Sequence, residues 1–146
     1  MIDTRPVIPP RAAGIVVVRR PDAGEWLCLL LRAYRDWDFP KGGIDAGESP
    51  LEGAVRETAE EASLTSLAFD WGNVCCDTAP YSGGKVARYF IARTSSESVK
   101  LGINPALGRP EHHEFRWMTL ANARSLARPR LHPIIDWASG LLSASN

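Results

Sequence analysis

Glu57, Glu60 and Glu61 are spaced i, i+3, i+4, so a helix through them carries three carboxylates within about 100° of one another. Two such charges ~5 Å apart repel by about 3 kcal/mol at an effective dielectric of ~20. Arg56 lies one turn before Glu60 and one turn after Glu52, but one guanidinium cannot neutralise the group. A hard divalent cation can. Oxygen ligands with no His or Cys beside them favour Mg²⁺ or Mn²⁺ over zinc. Mg²⁺ held by a few carboxylates keeps positions open for water and for substrate phosphates. The chemistry this permits is the gathering of water and a phosphate ligand on one metal ion. The plainer reading of E-x-x-E-E, taken alone, is a solvated acidic helix face with an incidental ion pair.

The acidic charge is local. The 146 residues carry 17 Lys+Arg and 17 Asp+Glu, for a net charge of zero, yet residues 41–64 hold six acidic groups and only two basic ones. A neutral chain has no global field that draws it to nucleic acid or to an anionic membrane, so a polyphosphate must be gripped locally. With 45% apolar and 23% charged residues, the composition is that of a single globular domain over residues 1–146. The longest apolar stretches, about seven residues, fall short of the ~20 needed to span a bilayer, and the first residues lack the apolar core of a signal peptide. Cys28, Cys75 and Cys76 have neither a disulfide framework nor zinc spacing, so inert thiols in a reducing cytoplasm are expected.

The elements that must position the glutamates can be traced from turn and period signals. Arg11–Arg20 and Trp26–Arg32 read as strands joined by a turn at Pro21–Gly24. Trp37–Pro40 leads into a glycine-rich loop, Lys41–Gly47. Ser49, Pro50 and Glu52 form a capping-box start, which predicts a helix over Pro50–Ser63. Leu51, Val55, Thr58, Ala59 and Ala62 fall on one stripe of that helix, expected to be buried opposite the glutamates. Leu67–Thr78 and Lys85–Thr94 read as strands around Ser82-Gly83-Gly84, and Ser95–Arg109 as an irregular stretch. A last strand, His113–Met118, precedes helices at Leu120–Ala127 and Pro133–Leu142. Strands on both sides of a central helix predict an α/β or α+β sandwich with a mixed sheet.

From Gly42 onward the pattern is G-x5-E-x7-R-E-x2-E-E: Gly42, Glu48, Arg56, Glu57, Glu60 and Glu61. This resembles the signature of the Nudix hydrolases, which bind divalent metal and hydrolyse nucleoside diphosphates linked to another group. The resemblance implies an α/β/α sandwich with a mixed β-sheet. It also implies metal binding by Glu57, Glu60, Glu61 and the backbone of Gly42. Glu57 becomes a candidate for orienting or deprotonating the attacking water, Arg56 would hold a glutamate, and Glu48 would support the loop or a second ion through water. Two positions depart from the family pattern. Thr58 replaces a large aliphatic residue, and Ser63 stands where a glycine is usual.

Arg11–Gly14, Leu29–Arg32, Trp37–Gly42 and Glu111-His112 with Arg116-Trp117 are similar to asymmetrical diadenosine tetraphosphate hydrolases. That likeness implies a phosphate contact for Lys41 and a further metal-binding carboxylate in Glu111. On the strand Lys85–Thr94, Lys85 and Arg88 could meet phosphates and Tyr89 could stack on a base, the alternatives being solvent-facing charge and sheet packing. The expected partner is a small nucleotide, a dinucleoside tetraphosphate first. Trp37–Glu48 also resembles RNA 5′-pyrophosphohydrolases, so RNA 5′ ends remain an alternative, as does a dNTP. A rival of another class is a nucleotide sensor that does not hydrolyse, against which the intact glutamates argue. A monomer and a homodimer are equally compatible with the pattern. His112-His113 lacks zinc spacing, and at most one of the two can face the site.

Overall fold

The computed structural model describes residues 8–145. The elements run β1 (Ala12–Arg19), β2 (Leu27–Ala33), β3 (Asp36–Asp38), β4 (Lys41–Gly43), α1 (Pro50–Ala62), β5 (Cys75–Asp77), β6 (Ala87–Arg93), β7 (Ile103–Asn104), β8 (Arg109–Pro110), β9 (Glu114–Thr119), α2 (Leu120–Leu126) and α3 (His132–Ala144). Seven strands form one mixed sheet. β3, β2, β1, β6 and β5 lie side by side, β4 pairs with β1, and β9 with β2. β1 and β6 run parallel over Ala12–Val18 and Ala87–Arg93, and the other pairs are antiparallel.

β1 is buried through six consecutive residues because both faces of the sheet are covered. Ala13, Ile15 and Val17 face α1 together with Leu29, Leu31, Phe90 and Ala92. Val16, Val18, Leu30, Tyr89 and Ile91 face Ala123, Leu131, Ile134, Ile135 and Ala138 on the α2–α3 side. The expected α/β/α sandwich is therefore observed.

Three expectations need correction. The loop expected at Lys41–Gly47 begins as a short strand, β4 on β1, and the segment Trp37–Pro40 leading into it starts within another, β3 on β2. Gly14 makes room for this crossing, since a Cβ there would lie 2.4 Å from the Pro40 carbonyl oxygen. The strand expected over Leu67–Thr78 is cut to Cys75–Asp77, with a single bridge at Ala68, because Gly72 turns the chain at φ +78°. The stripe of α1 is also rotated by about one residue. Gly53, Ala54, Thr58 and Ala62 are its buried positions, and Val55 is exposed. Small residues let α1 sit close to the sheet, and the rotation brings Glu57 and Glu61 to the sheet edge instead of the solvent side. Thr58 replaces aliphatic bulk at no polar cost, because its hydroxyl donates to the Ala54 carbonyl at 2.8 Å.

Candidate active site

The start of α1 sets the phase of the glutamates. Ser49 Oγ accepts from the Glu52 amide at 3.1 Å, and Glu52 Oε1 accepts from the Ser49 amide at 3.0 Å. At the other end Ser63 takes φ 58°, the left-handed cap for which glycine is usual. Beyond it, Lys100 and Gly102 donate their amides to the carbonyls of Ala62 and Glu61 at 3.2 Å each. The stretch Ser95–Arg109 is thus stitched to the end of α1. Gly102 is required for this, because a Cβ would lie 1.7 Å from the Glu60 carbonyl oxygen.

Arg56 organises the near side of the cluster. Its Nε and Nη2 donate to the two Glu48 oxygens at 2.8 and 3.0 Å, Nη1 donates to Glu57 at 2.9 Å, and Nη2 also reaches the Gly43 carbonyl at 2.8 Å. Glu60 lies 3.3 Å from Nη1 and is the most exposed of the three glutamates paired with it. Glu48 also accepts from the Asp45 amide, so it braces the loop directly, and the Arg56 hydrogen bonds hold its carboxyl down to about 2.

Glu61 lies deeper. Its Oε1 accepts from the Lys41 amide at 3.0 Å, yet burial pushes its carboxyl up to about 8, with the charges of Glu57 and Glu111 adding to the effect. Burial raises Glu57 as well, opposed by Arg56. Glu111 and His112, just before β9, bring ligand atoms within 4.8 Å of each other and of Glu61. His112 is the one histidine of the pair that faces the site, and burial lowers its pKa, while His113 packs edge-on against Tyr34. Gly42 presses so close to Glu57 that a Cβ would fall 2.2 Å from its carboxyl carbon. Carboxylates that face one another, with burial disfavouring the charged forms of Glu57 and Glu61, are the donor set a hard divalent cation fits. Glu57, Glu60, Glu61, Glu111 and the backbone of Gly42 are the groups that would hold it.

These residues line one cavity of about 770 Å³, together with Lys41, Asp38, Ile103, Asn104 and Arg130. Lys85, Arg88 and Tyr89 do not line it. Arg88 spends its Nε–Nη2 edge on Asp77, at 2.8 and 3.0 Å. Tyr89 offers no ring face to a base. It is 0% exposed, since alternation along β6 turns Ala87, Tyr89 and Ile91 into the α2–α3 layer. Its hydroxyl donates to Asp38 Oδ1 at 2.8 Å and its ring stands edge-on to Phe39. Lys85 closes the hairpin turn by pairing with Tyr81 across left-handed Ser82, Gly83 and Gly84. Trp37 is buried beneath the guanidinium groups of Arg32 and Arg116.

Sequence reasoning missed Asp38, Gly102 and Arg130. Asp38 lies inside the segment Trp37–Gly42 that carried a resemblance, so a signal existed for it. Nothing in the local sequence marks Gly102 or Arg130.

The profile of the NUDIX domain matches residues 8–138. The chain is 32% identical over 124 residues to the asymmetrical bis(5′-nucleosyl)-tetraphosphatase of Caenorhabditis elegans, covering 80% of this chain and 84% of that protein. It is 30% identical over 137 residues to an RNA pyrophosphohydrolase of Acidiphilium cryptum, covering 86% and 79%. A crystal structure of the C. elegans Ap4A hydrolase in a binary complex superposes with a TM-score of 0.78 at 28% identity, covering 91% of this chain and 98% of that one. A glutamate helix held by its own arginine against a glycine strand, and a profile match over most of the chain, lead to one conclusion: the protein belongs to the NUDIX family.

Proposed function

We propose that this Nudix hydrolase splits a nucleoside polyphosphate, with a dinucleoside tetraphosphate as its preferred substrate and Mg²⁺ or Mn²⁺ as its metal. The observation that carries the reading is the shared cavity. The carboxylates of Glu57, Glu60, Glu61 and Glu111 and the cations Lys41 and Arg130 line one space large enough for an extended polyanion. A bound divalent cation supplies charge neutralisation and a more acidic water. The chain's own residues do the rest. Arg56 fixes the orientation of Glu57 and, through Glu48, the loop before α1. In this reading Glu57 takes a proton from the attacking water, and Lys41 holds a phosphate oxygen.

The test is a panel of diadenosine tetraphosphate, dNTPs and triphosphorylated RNA with Mg²⁺, with the products identified. Water attacking one phosphorus of diadenosine tetraphosphate breaks one P–O–P link and gives ATP and AMP. In ¹⁸O-water the label then enters only one of the two. Symmetric cleavage to two ADP, or no cleavage, overturns the substrate reading. The likeness to the A. cryptum RNA pyrophosphohydrolase supports a second reading, hydrolysis of RNA 5′ ends. Much faster turnover of triphosphorylated RNA would put that reading first. The free thiols of Cys28, Cys75 and Cys76 support a reducing, cytoplasmic setting. Among the described residues no helix is long and apolar enough to cross a membrane.

A further inference from the structure

The cavity has a second charged corner, built around Asp38 instead of the carboxylates of α1. Asp38, at the end of β3, uses its Oδ1 internally: the Tyr89 hydroxyl donates to it at 2.8 Å and the Phe39 amide at 2.7 Å. Its Oδ2 faces two cations, Lys41 Nζ at 3.8 Å and Arg130 Nη2 at 3.9 Å. Both distances exceed hydrogen-bond reach, so the carboxylate offsets charge without consuming the donors of either cation. Two positive charges share one negative one, at the wall of a cavity that both cations line.

Arg130 is brought here by the 3₁₀ turn Pro129–Leu131. Its guanidinium lies 4.3 Å from the centre of the Tyr81 ring, and the neighbouring Arg128 pairs with Asp36 of β3, which ties the turn to the sheet. The side chain is only 25% exposed, so its fork is held in place before any ligand arrives. A forked guanidinium beside a compact ammonium suits the several oxygens of a phosphate group.

We infer that Arg130 and Lys41 form a paired-cation subsite for a phosphate of the substrate chain beyond the one at the glutamates, with Asp38, anchored by Tyr89, as the residue that positions both cations. The inference rests on the polyphosphate reading above and adds Arg130 and Asp38 to it. It makes chain length a specificity element, since a ligand must carry enough phosphates to reach from the carboxylate wall to this corner.

The probe is inorganic tripolyphosphate, titrated calorimetrically in the presence of Mg²⁺. Arg130→Ala should weaken its binding about tenfold or more, the usual cost of one charge-assisted contact. Arg130→Lys should recover part of the loss. With diadenosine tetraphosphate, Arg130→Ala should raise KM far more than it lowers kcat. Arg124→Ala removes an exposed charge paired with Asp136 outside the cavity, and should change neither quantity. Melting temperatures of all three variants exclude a folding artefact, with Arg130→Lys as the arm that keeps the cation–π contact to Tyr81. Tripolyphosphate binding by Arg130→Ala within twofold of the wild type overturns the subsite, even if diadenosine tetraphosphate is hydrolysed. Weakened tripolyphosphate binding in a protein that leaves diadenosine tetraphosphate intact upholds the subsite and overturns the substrate reading alone.

Discussion

The guanidinium of Arg56 on α1 takes both carboxylate oxygens of Glu48 in the preceding loop, at 2.8 and 3.0 Å. The same side chain reaches Glu57 and the Gly43 carbonyl, so one residue joins the loop, the helix and β4. Sequence spacing set Arg56 one turn from Glu52 and from Glu60, and the family resemblance implied that it holds one glutamate. The structure gives Arg56 two close carboxylate partners and a backbone carbonyl, which only a forked cation can serve at once.

Arg56→Lys should therefore behave as a severe substitution despite keeping the charge. An ammonium cannot satisfy Glu48 in two places and still orient Glu57. A loss of about 10–100-fold in kcat is expected, with the helix content by circular dichroism retained. Near-normal turnover in Arg56→Lys would show that the fork geometry is unimportant.

The raised pKa of Glu61 fixes the sign of a pH effect. The native state keeps a proton that the unfolded chain releases above its ordinary value of 4.5, so this contribution to stability is fully present below that value. It is lost as pH rises through about 8. In EDTA the melting temperature should fall between about pH 5 and about pH 9, and Glu61→Gln should flatten that fall. Mg²⁺ at millimolar concentration should raise the melting temperature more on the alkaline side, where it no longer competes with the proton. Identical profiles for the wild type and Glu61→Gln would contradict the burial of this carboxylate.

The helix, its capping box and the candidate side chains Arg56, Glu57, Glu60 and Glu61 were legible because they lie within one short run and follow one period. The layer order was legible for the same reason, as β1, β2 and β9 are continuous apolar or alternating runs. Tyr89 misled because a tyrosine between basic residues looks the same in sequence whether its ring faces ligand or core. Its partner Asp38 lies 51 residues away. The strands β3 and β4 were hidden for a similar reason: each is three residues long and exists only through pairing with β2 and β1. Arg130 and Gly102 gain their meaning from crossings that no local pattern records.

Gly102 offers a test of one such crossing. Alanine there would force its Cβ against the Glu60 carbonyl, so the loop must back away from the end of α1 and give up the amide bonds to Ala62 and Glu61. Thermal or denaturant unfolding of Gly102→Ala should show a loss of about 2–3 kcal/mol. A stability within about 0.5 kcal/mol of the wild type would mean that the loop does not rest on the helix.

Ser63 tests the helix exit. Glycine relieves the left-handed strain by about 1 kcal/mol but loses the hydrogen bond from Ser63 Oγ to the Lys100 carbonyl at 2.8 Å, worth a similar amount. Ser63→Gly should be close to neutral, whereas Ser63→Ala keeps the strain, loses the bond and should cost about 1 kcal/mol. Equal stabilities for the two variants would remove the left-handed strain from the account, and a Ser63→Ala protein as stable as the wild type would remove the hydrogen bond.

The most direct measurement is kcat for diadenosine tetraphosphate in Mg²⁺, taken side by side for the wild type and Glu57→Gln. Glutamine preserves the shape of the side chain against Gly42 and its acceptor oxygen for Arg56, and removes only the charge. The account predicts that the wild type releases ATP and AMP and that Glu57→Gln is slower by roughly 10³-fold or more, with an unchanged fold. Glu57→Gln turning over within a few-fold of the wild type would contradict it.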